Sequence, residues 1–331
     1  MKRARWGPGV AGVCAMIAST APAAVGAATL EVESKIRLGD VRGRIDHLGF
    51  DLGRQRLFVA ELGNDSVGIV DVKNRRVVRT LTGLRAPQGI GYVPATDTVY
   101  VANAADGSVH LFQGAELAPI GRIALGNDAD NVRVDEAANR LFVGYGDGAL
   151  AVIDTATRTK VADLPLKAHP EGFRLEHSGS RIFVNVPDTR EIAVLDRVTH
   201  RQIASWETAD LRANFPLALD ESDQVLAVFR RPARLGIFRG RDGRLLAALD
   251  TCGDADDLSV DATRHRVYVS CGGGFVDVFE QAADPYHRVD RVPTSPGART
   301  SLFVPELDRL FLAAPATPAA PASIWIIRPR S

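Results

Sequence analysis

Two stretches of the chain nearly repeat one another: Gly126–Asp135 reads GNDADNVRVD and Gly253–Asp261 reads GDADDLSVD. Each sets carboxylates at alternate positions, Asp128 and Asp130 in one and Asp254 and Asp256 in the other, followed by Asn131 or Asp257. Two histidines, His47 and His169, stand beside further acids, Asp46 and Glu171. Converging carboxylates and imidazoles can hold a divalent cation, with oxygen ligands suiting calcium or magnesium and added imidazole suiting zinc, manganese or iron. The same groups can grip a small polar ligand. With a metal polarising a carbonyl, a histidine or an acid can also serve as general base in hydrolysis. No G-x-S-x-G elbow occurs, and no helix follows the glycines of Cys271–Phe275 (CGGGF), so neither a nucleophile elbow nor a phosphate cradle is present as a motif.

Whether these residues meet depends on the elements that carry them. Seven short apolar runs share one pattern, RLFVA, TVYVA, RLFVG, RIFVN, VLAVF, RVYVS and RLFLA, with third residues Phe58, Tyr100, Phe142, Phe183, Ala227, Tyr268 and Phe311. Successive steps are 42, 42, 41, 44, 41 and 43 residues. A fixed period in the low forties with four period-two runs per unit is the sequence signature of propeller blades. Turn residues such as LGRQ, EHSGS and DATRH separate the runs, as hairpins require. The last unit ends after SIWIIRP without a fourth strand, whereas Leu30–Leu38 (LEVESKIRL) is an unpaired strand ahead of the first unit. The chain is therefore expected to be all-β, a seven-bladed β-propeller of four-stranded antiparallel blades. Its ring is closed by the N-terminal strand completing the last blade, which removes two sheet edges. Residues 29–331 form one propeller domain in this reading, because no composition break divides them.

The rhythm of VYVANAADGSVHLF and RLFVGYGDGALAVIDTATRTKV resembles the YVTN-type β-propeller repeat, over essentially the whole chain after residue 28. The resemblance implies the propeller fold. It also implies a range of functions, since the family includes surface-layer, periplasmic binding and lactonase-like members.

In such a blade the innermost strand starts at the mouth of the central channel. Aligned on their anchors, the seven units place Asp46, Gln88, Asp130, Glu171, Phe215, Asp256 and Arg299 at one level of that mouth. Two residues earlier stand Arg44, Ala86, Asp128, His169, Ala213, Asp254 and Gly297, and one residue later His47, Gly89, Asn131, Gly172, Pro216, Asp257 and Thr300. The candidate ligand-binding set is Arg44, Asp46, His47, Gln88, Asp128, Asp130, Asn131, His169, Glu171, Asp254, Asp256, Asp257 and Arg299. Within it, Asp46, His47, Asp130, His169, Glu171 and Asp256 are the candidate metal ligands, and His47, His169 and Glu171 the candidate catalytic groups if the protein is an enzyme. A plainer reading stays open: Asp at a strand start accepts backbone N–H bonds, and Arg44, Arg230, Arg231 and Arg299 can neutralise the acids in pairs.

The N-terminus carries Lys2, Arg3 and Arg5, then a short apolar run and small residues, the pattern of a secretory signal peptide over residues 1–28. The run is too short and too broken to span a bilayer, and Val13 before Cys14 is not the small residue a lipoprotein site needs. The expected location is periplasmic or secreted. Without the signal the chain has 37 basic against 40 acidic residues, no general basic surface for nucleic acid. Cys252 and Cys271 then remain, near each other at the start and end of one hairpin, as a disulfide or as two thiol ligands; export favours the disulfide. The Pro-rich run Ala313–Ser323 is expected to be a flexible insertion on the ligand face. The partner is a small polar ligand or a protein, the cofactor if any a divalent metal, and the chain a monomer.

Overall fold

The alternating runs become strands because each blade buries both faces against its neighbours while its outermost strand stays wet. The second and third strands of the first blade, Arg56–Glu61 and Ser66–Asp71, are buried almost throughout, whereas the outer strand Arg76–Leu81 is largely exposed. The computed structural model describes residues 1–4, 28–220, 222, 224–281 and 286–331. The signal-peptide reading and Cys14 lie outside the described residues, apart from the basic start. Among the described residues no helix is long and apolar enough to cross a membrane.

Seven four-stranded antiparallel sheets form the ring, each ordered from an inner to an outer strand. The inner strands are Leu48–Asp51, Pro87–Val93, Val132–Asp135, Phe173–Leu175, Arg212–Leu219, Ala255–Asp261 and Thr300–Val304. The last blade takes its outer strand from Leu30–Arg37, which pairs antiparallel with Ser323–Pro329 from Leu30 opposite Pro329 to Arg37 opposite Ser323. Ion pairs fasten this closure: Glu33 accepts from Arg309 at 2.6 and 2.9 Å and from Arg328 at 2.8 Å.

The anchor aromatics hold blade to blade. Phe58, Tyr100, Phe142, Phe183, Tyr268 and Phe311 are at most 2% exposed. Phe58 packs with Val99 and Val101 of the next blade, and Phe142 with Phe173, Ile182 and Val184 of the next. The fifth blade, whose anchor is Ala227, fills the space with Phe229 and Phe238. At the face away from the mouth an Asp-x-x-Arg turn reaches across to the following blade. Arg54 bonds Asp51 in its own turn and both oxygens of Asp97 at 2.8 and 2.6 Å. Arg264 repeats the arrangement with Asp261 and Asp308.

Register also decides what faces the channel. The residues opposite six of the anchors are Gly49, Gly91, Arg133, Arg174, Ser259 and Leu302. Just below the mouth the inner strands nearly touch: a Cβ on Gly89 would lie 2.0 Å from the Asp130 carbonyl oxygen, and one on Gly172 2.5 Å from that of Phe215. Glycine is required there by space. The Pro-rich loop is a bridged turn, Thr317 N–H bonding Ala320 O at 2.8 Å with the reverse bond at 3.3 Å, and not the flexible insertion expected from composition.

Candidate functional site

The structure puts the aligned residues at a common level. Asp46, Asp130 and Glu171 each donate their backbone N–H to the equivalent carbonyl of the second strand, Ala60, Gly144 and Asn185. The position two residues earlier is left-handed in five units, at Ala86, Asp128, Ala213, Asp254 and Gly297. That backbone demand gives Asp128 and Asp254 a structural reason to be what they are, since Asp tolerates this conformation better than most residues. The repetition of the DAD motif thus belongs partly to the fold.

The two copies then diverge. Asp256 faces three guanidinium groups: Arg230 Nη2 at 2.6 Å, Arg299 Nε at 3.0 Å and Arg44 Nη2 at 3.7 Å. Asp254 is bonded twice by Arg299, at 3.1 and 2.9 Å. Arg44 also pairs with Asp46 at 2.8 Å. In the sixth and first blades the neutralised arrangement therefore holds, through Arg44, Arg230 and Arg299; Arg231 makes no ion pair among the described residues.

In the third and fourth blades it does not. Asp130, 6% exposed, and Glu171, partly buried, make no hydrogen bond and no ion pair through their carboxylates among the described residues. Burial, followed by the charges of Asp130 and Asp256, pushes Glu171 up to about 9. It is protonated at neutral pH and can donate. Burial also raises Asp130 and Asp256, against the pull of His47 on both. Asp46 rises to about 6, chiefly from burial. Asp128 is half-exposed, with His169 Nδ1 3.6 Å away. That nitrogen lies 2.7 Å from the Gly146 carbonyl oxygen and donates to it. Gln88 is buried at the same level, and Asn131 accepts from Arg133 at 3.2 Å.

His47 sits just below, with Nδ1 3.4 Å from Asp257 and Nε2 3.7 Å from Asp46. Burial works to lower its pKa, but the charge and hydrogen bond of Asp257, joined by Asp46 and Asp130, lift it to about 10. An imidazolium that keeps its proton to that pH does not accept one at neutrality, so His47 does not suit the base role assigned to it by position. The six candidate metal ligands do not close around a point either. Among the described residues no group of three or more His, Cys, Asp and Glu side chains is disposed to hold a metal ion. Arginines pair with two of the four candidate carboxylates, Asp46 and Asp256.

Cys252 and Cys271 are joined by a disulfide, with Cα atoms 5.9 Å apart. It ties the start of the sixth blade's inner strand to the end of its second strand, beside Asp254 and Asp256.

Beneath the mouth lies a void of about 10 Å³, room for about one water, among His47, Asn131, Arg133, Glu171, Arg174 and Asp257. His47, Arg133, Arg174 and Asp257 also line a cavity of about 640 Å³ toward the opposite face. Sequence reasoning missed this lower chamber and its two arginines, Arg133 and Arg174. The same alignment carried three residues down each inner strand would have found them, as charges in a ring otherwise of Gly49, Gly91, Ala218, Ser259 and Leu302.

No family model matches the chain, and no curated protein matches it. Among solved structures the chain is similar to Kuenenia stuttgartiensis hydrazine synthase, at 16% identity over 83% of this chain and 93% of that one, with a TM-score of 0.74. It is also similar to a chain in the crystal structure of the mitotic checkpoint complex, at 12% identity over 96% of this chain and 98% of that one, with a TM-score of 0.78. At these identities the likeness shows the fold, a seven-bladed β-propeller. The YVTN-type resemblance rests on repeat rhythm.

Proposed function

We propose that the protein is an exported binding propeller whose mouth takes up a small polar ligand carrying hydrogen-bond donors, an amine or a polyol. One observation carries this reading: at this level of the mouth Asp130 and Glu171 make no ion pair among the described residues, and Asp130 Oδ1 is buried without a hydrogen bond, while the neighbouring Asp46 and Asp256 are ion-paired with arginine. A buried polar group left unpaired costs roughly 1–3 kcal/mol, a cost a ligand can remove. Asp130 then accepts from the ligand, protonated Glu171 donates to it, and His169 offers a further polar contact. Export is supported by the basic and apolar N-terminal pattern and by the Cys252–Cys271 disulfide, which suits an oxidising compartment.

The test is a thermal-shift screen of amines, polyols and divalent cations against wild type and Asp130→Asn, with lactone turnover measured alongside. An amine or polyol that stabilises wild type and not Asp130→Asn supports the reading. Stabilisation by a divalent cation instead, or lactone turnover lost in Asp130→Asn and His169→Ala, would replace it with the metal-binding or hydrolytic alternative.

A further inference from the structure

We infer that the lower chamber of the channel is a second binding site, for a small organic carboxylate with an apolar body, entered from the face opposite the mouth. Its inner end holds two guanidinium groups brought together by one acceptor: Arg133 Nε and Arg174 Nη1 both donate to the Phe173 carbonyl oxygen, at 3.1 and 3.0 Å. Arg133 also donates to Val132 O at 2.7 Å and to Asn131 Oδ1 at 3.2 Å, while the Arg174 side chain makes no other hydrogen bond among the described residues. Neither forms an ion pair among the described residues, unlike Arg44, Arg230 and Arg299 above. A guanidinium carries five N–H donors, so most of those on Arg174 have no protein acceptor.

The nearest acid does not balance them. Asp257 is engaged by His47 at 3.4 Å and accepts the Ser301 N–H at 2.8 Å. The cavity's other acids, Glu136 and Glu306, follow the inner strands at the far face; Glu136 lies three residues beyond Arg133, roughly 10 Å along the strand. Burial, and for Arg133 the like charge of Arg174, lower both pKa values, Arg133 to about 9, against the pull of Asp257 on both and of Asp130 on Arg133. Both remain charged at neutral pH.

The walls fix the rest of the ligand. Leu48, Phe50, Ile90, Val132, Val134 and Phe303 line the 640 Å³ space, which falls within the roughly 300–1,000 Å³ of small-molecule sites. Forked guanidinium donors match the two oxygens of a carboxylate. Apolar walls reward a hydrocarbon or aromatic body and give an inorganic anion nothing more. The site is built from other residues than those offered to the mouth ligand, since Asp130, His169 and Glu171 do not line the cavity.

Calorimetric titration of the full chain with benzoate and octanoate tests this, with benzyl alcohol and inorganic phosphate as comparisons. Saturable binding of one of the carboxylates is expected, at least tenfold tighter than benzyl alcohol or phosphate. Arg174→Gln should weaken it at least tenfold, and Arg174→Lys less. Circular-dichroism melts identify any variant that fails to fold, and Arg133→Gln then replaces it. Absence of carboxylate binding to wild type, equal binding of benzyl alcohol or phosphate, or unchanged affinity in a folded arginine variant overturns the proposal.

Discussion

At the scale of single residues, the mouth stores protons. Glu171 moves from 4.5 to about 9 and His47 from 6.5 to about 10 on folding. Both bind protons more tightly in the folded chain, so their contribution to stability is present at low pH and is lost as pH rises, between about 4.5 and 10. Urea melts should therefore show lower stability at pH 8.5 than at pH 6, and Glu171→Gln should flatten that slope. A slope of the opposite sign, or one untouched by Glu171→Gln, contradicts the assignment. Asp130→Asn, removing a carboxyl group whose charged form burial disfavours, should stabilise the ligand-free protein by about 1 kcal/mol while weakening ligand binding. A destabilised Asp130→Asn would instead reveal a structural role. Residue chemistry was the least legible layer of the sequence. Alignment placed Asp130 and Asp256 at one level, but which of them meets arginine depends on where Arg230 and Arg299 reach from adjacent blades, and nothing local to either motif states that.

At the scale of strands and turns, much was legible, because a blade buries two faces and so writes its period into the chain. The anchors at Phe58 to Phe311 were visible as the third residue of each run, and they are the side chains that lock neighbouring sheets. Phe142→Ala should cost about 3–5 kcal/mol in chemical unfolding, since a buried aromatic leaves a cavity the rigid neighbours cannot fill. Val161→Ala, on an exposed outer strand, should cost less than about 0.5 kcal/mol. Equal effects at the two sites would mean that blade contacts do not carry stability. The left-handed demand at Asp128 and Asp254 was not legible, because Ala86 and Ala213 meet it without any turn signature. The two chamber arginines were missed for a related reason: an Arg inside a period-two strand looks like an exposed residue until its partner strand is placed.

At the scale of the whole molecule, the ring depends on its first strand. Leu30–Arg37 supplies the outer edge of the last blade, and Leu30, Ile36 and Leu38 are buried there. Deleting residues 28–38 should abolish a single cooperative melt and promote association through the bared edge of Ser323–Pro329; a monomeric deletion variant melting like wild type would contradict the closure. A closed ring holds one channel with two unlike ends, the carboxyl groups of Asp130 and Glu171 above and the guanidinium groups of Arg133 and Arg174 below, none of them ion-paired among the described residues. The account turns on the upper end being a binding site. The most direct measurement is calorimetric titration of the stabilising amine or polyol into wild type, Asp130→Asn and Arg174→Gln. The account predicts at least tenfold weaker binding for Asp130→Asn and wild-type affinity for Arg174→Gln. Equal affinity of Asp130→Asn and wild type would contradict it.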